Sequence, residues 1–124
     1  MDPMLIVVII FFVGIVLVKR ASLSSKVEVV ESMKSEYVII DVRTPAEYNS
    51  GHVTNAKNIP LARISTAGEE LPKDKNVVIF LYCLSGARSG SAASVLKKKG
   101  YTAVKNLGSI SRAKSLVAQG LESQ

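Results

Sequence analysis

The sequence predicts an α/β domain with a mainly parallel central sheet covered on both faces, preceded by one transmembrane helix. Three observations carry this reading. Apolar runs recur at residues 37–42, broken only by Asp41, and 77–82, as strands buried on both faces require. Helix-like stretches separate them, the order expected of parallel strands joined by crossover helices. The chain also opens on an almost unbroken apolar run, Pro3 to Val18. A length of 124 residues allows one small domain plus an appendage.

The elements follow in order. Met1 to Val18 spans roughly 27 Å as a helix, close to the hydrocarbon thickness of a bilayer. Lys19 and Arg20 end the run and would snorkel to the interface. A cleaved signal peptide is disfavoured: Asp2 is the only charged side chain before the run, the run is long for such a segment, and no small-residue cleavage site follows. A buried soluble helix would show a polar stripe, which this segment lacks. The expected division is an anchor over 1–20, a linker over 21–25 and a folded domain over 26–120. Lysine and arginine tend to stay on the cytoplasmic side, so the expected topology is single-pass in the inner membrane, with the domain in the cytoplasm. The expected partner of residues 3–18 is the lipid bilayer. The single unpaired cysteine agrees with a reducing compartment.

Ser24 or Ser25 can cap a helix reaching Ser35, with Val27, Val30 and Met33 on one face. Tyr37 to Val42 reads as a buried strand. Thr44 and Pro45 open a short helix over Ala46 to Ser50. Gly51 to Asn55 forms a turn, Ala56 to Ile59 a brief extended piece stopped by Pro60, and Leu61 to Ala67 a helical turn or two. Lys73 to Asn76 is a polar turn before the strand 77–82. Ser89 to Lys99 reads as a helix closed by Gly100, and Tyr101 to Lys105 as a strand. Asn106 to Gly108 reads as a loop, and Ser109 to Ala118 as a last helix ending near Gly120.

The formal net charge is +6. Lys97, Lys98 and Lys99 account for part of it, and suit the C-terminal end of a helix dipole. Attraction to anionic headgroups is the alternative use of that triplet. No repeated basic and aromatic pattern is present, so no nucleic-acid partner is expected.

Cys83 is the only cysteine. It follows an apolar strand and precedes Leu84, Ser85, Gly86, Ala87, Arg88 and Ser89, which lead into a helix. A small-residue loop between a strand and a helix N-terminus is a cradle for an anion. Gly86 lets the backbone turn its N–H groups inward, Ser85 and Ser89 add donors, and Arg88 places a fixed cation where an anionic substrate would meet it. Positive potential lowers a cysteine's pKa, so Cys83 is expected to be a functional thiolate. A buried, inert cysteine is the competing reading. Asp41 and Arg43 alternate at the end of the first strand, and their expected role is to fix loops, including the one at Cys83.

Asp41-Val42-Arg43, Glu47-Tyr48, Gly51-His52-Val53, Ala56 and Asn58-Ile59-Pro60 resemble one half of the rhodanese signature. Cys83, Gly86, Arg88-Ser89, Ala92-Ala93, Leu96, Gly100-Tyr101, Val104 and Asn106-Leu107 resemble its active-site loop and the following helix. The resemblance covers residues 26–118 and implies a rhodanese-like three-layer fold. An N-terminal anchor on such a domain is similar to a membrane-bound bacterial subgroup. Asn55 stands where the family usually has Gly. Ser109-Ile110-Ser111-Arg112 replaces a common Gly-Gly and Trp region bordering the site, and the chain has no Trp.

The resemblance implies sulfur transfer without a cofactor or metal. Cys83 would take the outer sulfur of a small anionic donor, thiosulfate or a persulfide, and pass it to a thiol, a protein acceptor or cyanide. The N–H groups from Leu84 to Ser89 would stabilise the charge, and Arg88 would orient the donor. His52 resembles a scaffold position and lies far from Cys83 in sequence. Phosphatase or arsenate reductase chemistry needs a wider loop than Leu84-Ser85-Gly86-Ala87 supplies. A non-catalytic binding or scaffold module held at the membrane is the other alternative.

Overall fold

The computed structural model describes residues 2–122, without the side chains of residues 18–24. Its elements are α1 (Pro3–Ser32), β1 (Tyr37–Asp41), α2 (Pro45–Asn49), β2 (Lys57–Asn58), α3 (Leu61–Ile64), β3 (Val78–Cys83), α4 (Ala87–Lys98), β4 (Val104–Ser109) and α5 (Ile110–Glu122). The sheet order is β2-β1-β3-β4, and every pairing is parallel. Central strands β1 and β3 alternate their buried side chains between two cores. Ile40, Ile79, Leu81 and Cys83 face Ala92, Ala93 and Leu96 of α4. Ile39, Phe80 and Tyr82 face Ala113, Leu116 and Val117 of α5, together with Val29 and Met33. The expected three layers, helices on both faces of a parallel sheet, are present.

Local sequence sets several boundaries. Thr44 accepts the Glu47 N–H (3.3 Å) while the Glu47 carboxylate accepts the Thr44 N–H (3.2 Å). This reciprocal capping box, followed by Pro45, starts α2 where the sequence places it. Gly86 has φ 105° and turns the chain into α4 at Ala87, two residues before the expected start.

Two expectations about the N-terminal segment find no support in the structure. The linker over 21–25 does not interrupt the backbone: α1 runs unbroken from Pro3 to Ser32, capped by Asp2, whose carboxylate accepts the Met4 N–H at 3.0 Å. No Gly or Pro occurs from Ile15 to Ser32, and serines are tolerated inside a helix that other contacts hold. Those contacts are Val29 and Met33 against the core beside α5 and an ion pair between Glu28 and Lys105. Lys19, Arg20 and the linker residues Ala21 to Ser24 have side chains outside the described residues. The transmembrane expectation also lacks support: among the described residues, no helix is long and apolar enough to cross a membrane. The exposed apolar side chains run from Met4 to Leu17. They cover roughly 20 Å of helix, against about 30 Å of hydrocarbon.

The last strand is Val104–Ser109, not Tyr101 to Lys105, so the expected loop at Asn106 to Gly108 is strand. Asn and Gly are depleted in strands, and pairing with β3 overrides that preference. The register runs from Ile79 opposite Val104 to Cys83 opposite Ser109, with an irregularity between Leu81 and Tyr82. The residue passed over is Leu107, which is fully buried. Strand pairing thereby sets Gly108 and Ser109 beside the end of β3.

Phe80 is fully buried between the sheet and α5. Phe80→Ala is expected to destabilise the domain by about 3–5 kcal/mol in urea unfolding, with little change in the slope of the transition.

Candidate active site

Cys83 is the last residue of β3 and is fully buried. The chain then turns through Leu84 and Ser85, both exposed, into Gly86 and α4. No side chain of the chain's usual capping kind closes the start of α4. Instead the Cys83 sulfur takes that place: the Gly86 N–H donates to Sγ at 2.9 Å, and the Ser89 hydroxyl lies 3.4 Å away. Burial by itself would push the thiol above 9.0. Hydrogen bonds from the Ser89 hydroxyl and from the Ser89, Gly86 and Ser85 N–H groups outweigh it and bring the thiol down to about 7.

The Ser89 hydroxyl carries one proton and has three acceptors in reach. They are Asn106 Oδ1 at 2.7 Å, the Gly86 carbonyl at 3.1 Å and Sγ at 3.4 Å. The backbone N–H groups have no such choice, and they are the fixed part of the cradle. Asn106 binds the parts together. Its Oδ1 also accepts the Gly108 N–H (2.9 Å), and its Nδ2 donates to the Gly86 carbonyl (3.2 Å). A side chain at Gly86 would be crowded and strained: a Cβ there would lie 3.3 Å from Gly108 Cα, on a backbone at φ 105°. Its own local preference places Asn106 in a loop. Its position in the signature pointed to it, but the register that turns it toward Ser89 did not show locally.

Of the expected loop residues, Ser85, Gly86 and Ser89 donate to the Cys83 sulfur, while Leu84 and Ala87 are exposed. Arg88, expected as a free cation facing a donor, is engaged. Its Nη1 and Nη2 donate to the two carboxylate oxygens of Glu47 at 2.6 and 3.0 Å. The bidentate Arg88 contact and the Thr44 N–H hold the Glu47 carboxyl down at about 2. Glu47, at N3 of α2, thus ties α2 to the start of α4.

Asp41 and Arg43 are buried against each other. The Arg43 N–H and Nε donate to Asp41 Oδ1 at 2.9 and 3.0 Å, and Nη2 donates to Oδ2 at 2.7 Å. Nη2 also reaches the Gly51 carbonyl at 2.7 Å, and Asn58 Nδ2 donates to the Asp41 and Arg43 carbonyls. The pair therefore fixes the segment from Arg43 to Asn58. It makes no hydrogen bond to residues 84–88, and its link to Cys83 runs through Tyr82. The Arg43 guanidinium lies 5.7 Å from the Tyr82 ring centre, and the Tyr82 hydroxyl accepts the Val53 N–H at 3.0 Å. His52 stacks on Tyr48 and contacts its carbonyl at 2.9 Å. Among the described residues, no group of three His, Cys, Asp or Glu is placed to hold a metal ion.

A thiol-bearing strand end, an amide cradle and a charge-paired rim stand together at one edge of the parallel sheet. The model of the rhodanese-like domain matches residues 25–114. The chain belongs to the rhodanese-like domain family. Among curated relatives, it is 41% identical over 71 residues to the thiosulfate sulfurtransferase PspE of Escherichia coli, covering 57% of this chain and 68% of that protein. It is 43% identical over 72 residues to a sulfurtransferase of Allochromatium vinosum, covering 58% and 65%. The chain spans between about half and two-thirds of the length of the first curated relatives it matches. Among solved structures, a rhodanese with anions from E. coli superposes with a TM-score of 0.53 at 41% identity. That match covers 63% of this chain and 91% of the other. Relatives named as sulfurtransferases support sulfur transfer at the level of the family.

For this rhodanese-like domain, thiolate-selective alkylation of Cys83 is expected to rise through a midpoint near pH 7. Ser89→Ala should move the midpoint up toward 9, and Gly86→Ala should do so while also lowering the melting temperature. The linkage sign follows from a folded-state pKa below the unfolded one. The thiolate's stabilisation is complete above about pH 9, declines as pH falls and is gone below about 7.

Proposed function

We propose that this rhodanese-like domain is a thiosulfate or persulfide sulfurtransferase that carries sulfur on Cys83. The observation that carries the reading is the Sγ accepting the Gly86 N–H at 2.9 Å with its thiol lowered to about 7. At neutral pH a large share of the sulfur is thiolate, the form that attacks. In the first step the Cys83 thiolate attacks the outer sulfur of thiosulfate. A sulfur–sulfur bond forms to Cys83, the donor's sulfur–sulfur bond breaks, and its electron pair leaves with sulfite. In the second step an acceptor thiolate or cyanide attacks the outer sulfur of the Cys83 persulfide, and the Cys83 thiolate is regenerated. The Ser85, Gly86 and Ser89 N–H groups stabilise the anion at each stage without an acid–base histidine. Cys83 is fully buried while the loop residues that follow it, Leu84 and Ser85, are exposed, so the loop is the proposed route of the donor.

The full chain incubated with thiosulfate should gain one sulfur atom by intact mass, lost again on adding cyanide. Cys83→Ser should gain none. Absence of the adduct with thiosulfate and with organic persulfides would leave the non-catalytic module as the reading.

The N-terminal segment is proposed to tether the domain to a bilayer through residues 3–18, single-pass, with the domain on the cytoplasmic side. Two features support this: apolar side chains exposed around the helix from Met4 to Leu17, and the cations Lys19 and Arg20 that follow them in sequence. Against it stands the absence of a spanning helix among the described residues. Sedimentation with membranes resistant to high salt and carbonate, and protease protection in inverted vesicles, test the tether and its sidedness. Release by carbonate removes it.

A further inference from the structure

We infer that Arg112 is the cation that binds the anionic group of the sulfur donor, the role the sequence had pointed to Arg88 for. The inference rests on the sulfurtransferase reading and names the donor class: one whose transferable sulfur is attached to a negatively charged oxygen group, as in thiosulfate.

The charges around the cradle lead there. Arg88 is neutralised by a bidentate Glu47, and Arg43 by a buried bidentate Asp41. Arg112 has no carboxylate partner among the described residues, and its Nη1 donates only to the Leu107 carbonyl at 2.9 Å. It is partly exposed at the start of α5. Its place beside the thiol follows from close packing. Gly86, whose N–H touches Sγ, abuts Gly108, where a Cβ at Gly86 would lie 3.3 Å from Gly108 Cα. A Cβ at Gly108 would in turn lie 3.8 Å from Arg112 Cδ and 3.9 Å from Nη1. Ser109 stands opposite Cys83 in the sheet, and its Oγ accepts the Arg112 N–H at 3.2 Å. Sγ, Gly86, Gly108 and Arg112 therefore lie in sequence across one rim. A donor whose outer sulfur reaches Cys83 projects its oxygens outward from the thiol, toward the rim where the guanidinium keeps unused donors.

Two measurements on the full chain test it. In thiosulfate-dependent sulfur transfer, Arg112→Gln should raise KM by about tenfold or more with a smaller change in kcat, as loss of one charge-assisted hydrogen bond predicts. Arg112→Lys should recover part of the loss. Alkylation of Cys83 by iodoacetate relative to iodoacetamide should fall several-fold in Arg112→Gln and recover in Arg112→Lys, because only the first reagent is an anion. An unchanged KM or an unchanged alkylation ratio in Arg112→Gln overturns the inference. If the wild-type chain takes no sulfur from thiosulfate, the sulfurtransferase reading fails by itself, and the alkylation ratio still decides whether Arg112 selects anions at the thiol. A Cys83 that neither reagent reaches overturns both.

Discussion

The side-chain amide of Asn106 is the junction on which the cradle depends. It accepts from the Ser89 hydroxyl and the Gly108 N–H and donates to the Gly86 carbonyl. One residue thus joins the first turn of α4, the loop after Cys83 and the end of β4. The loop's N–H groups point at Sγ because its carbonyl and its helix are held from outside. Without that hold, a run of small residues would exchange its hydrogen bonds for water at little cost. The lowered thiol pKa is an outcome of this mechanical arrangement as much as of any positive charge.

Charge pairing organises the surroundings. The buried Asp41 and Arg43 satisfy each other and the backbone of the neighbouring segment. Removal of either partner from a buried pair of this type costs about 3–5 kcal/mol because the other is left uncompensated. Glu47 does comparable work at the partly exposed rim, where it holds Arg88 and caps its own helix through Thr44. These pairs cancel their own charge and leave the anion-binding capacity of the site to amides and to any arginine without a carboxylate. A short loop can therefore favour a thiolate through its amides while the arginines beside it are held by carboxylates.

The N-terminal helix joins the domain as a packed element. Val29 and Met33 enter the core beside α5, and Glu28 pairs with Lys105 near the start of β4. These contacts lie toward the end of the sheet opposite Cys83, since β4 begins at Val104 and reaches the thiol at Ser109.

Much of the architecture was legible in the sequence because it rests on short-range rules. The continuous apolar runs gave β1 and β3, the Thr44–Glu47 pattern gave α2, and the Cys83-to-Ser89 stretch gave a thiol at a helix start. The signature residues gave the family. Other features depended on partners distant in sequence. Asn106 and Gly108 carry loop preferences, and only the register with β3 made them strand and set Gly108 against Gly86. The serines at 22–25 suggested a break that packing of Val29 and Met33 did not require. Arg88 and Glu47 lie 41 positions apart, and no local pattern tells an engaged guanidinium from a free one. The sequence by itself determined which chemistry-bearing groups exist and the strand end on which the thiol sits, because side-chain type and periodicity are properties of the chain. Which of those groups meet, and so which arginines are held by a carboxylate, was decided only by tertiary structure, because electrostatic pairing depends on distance through space.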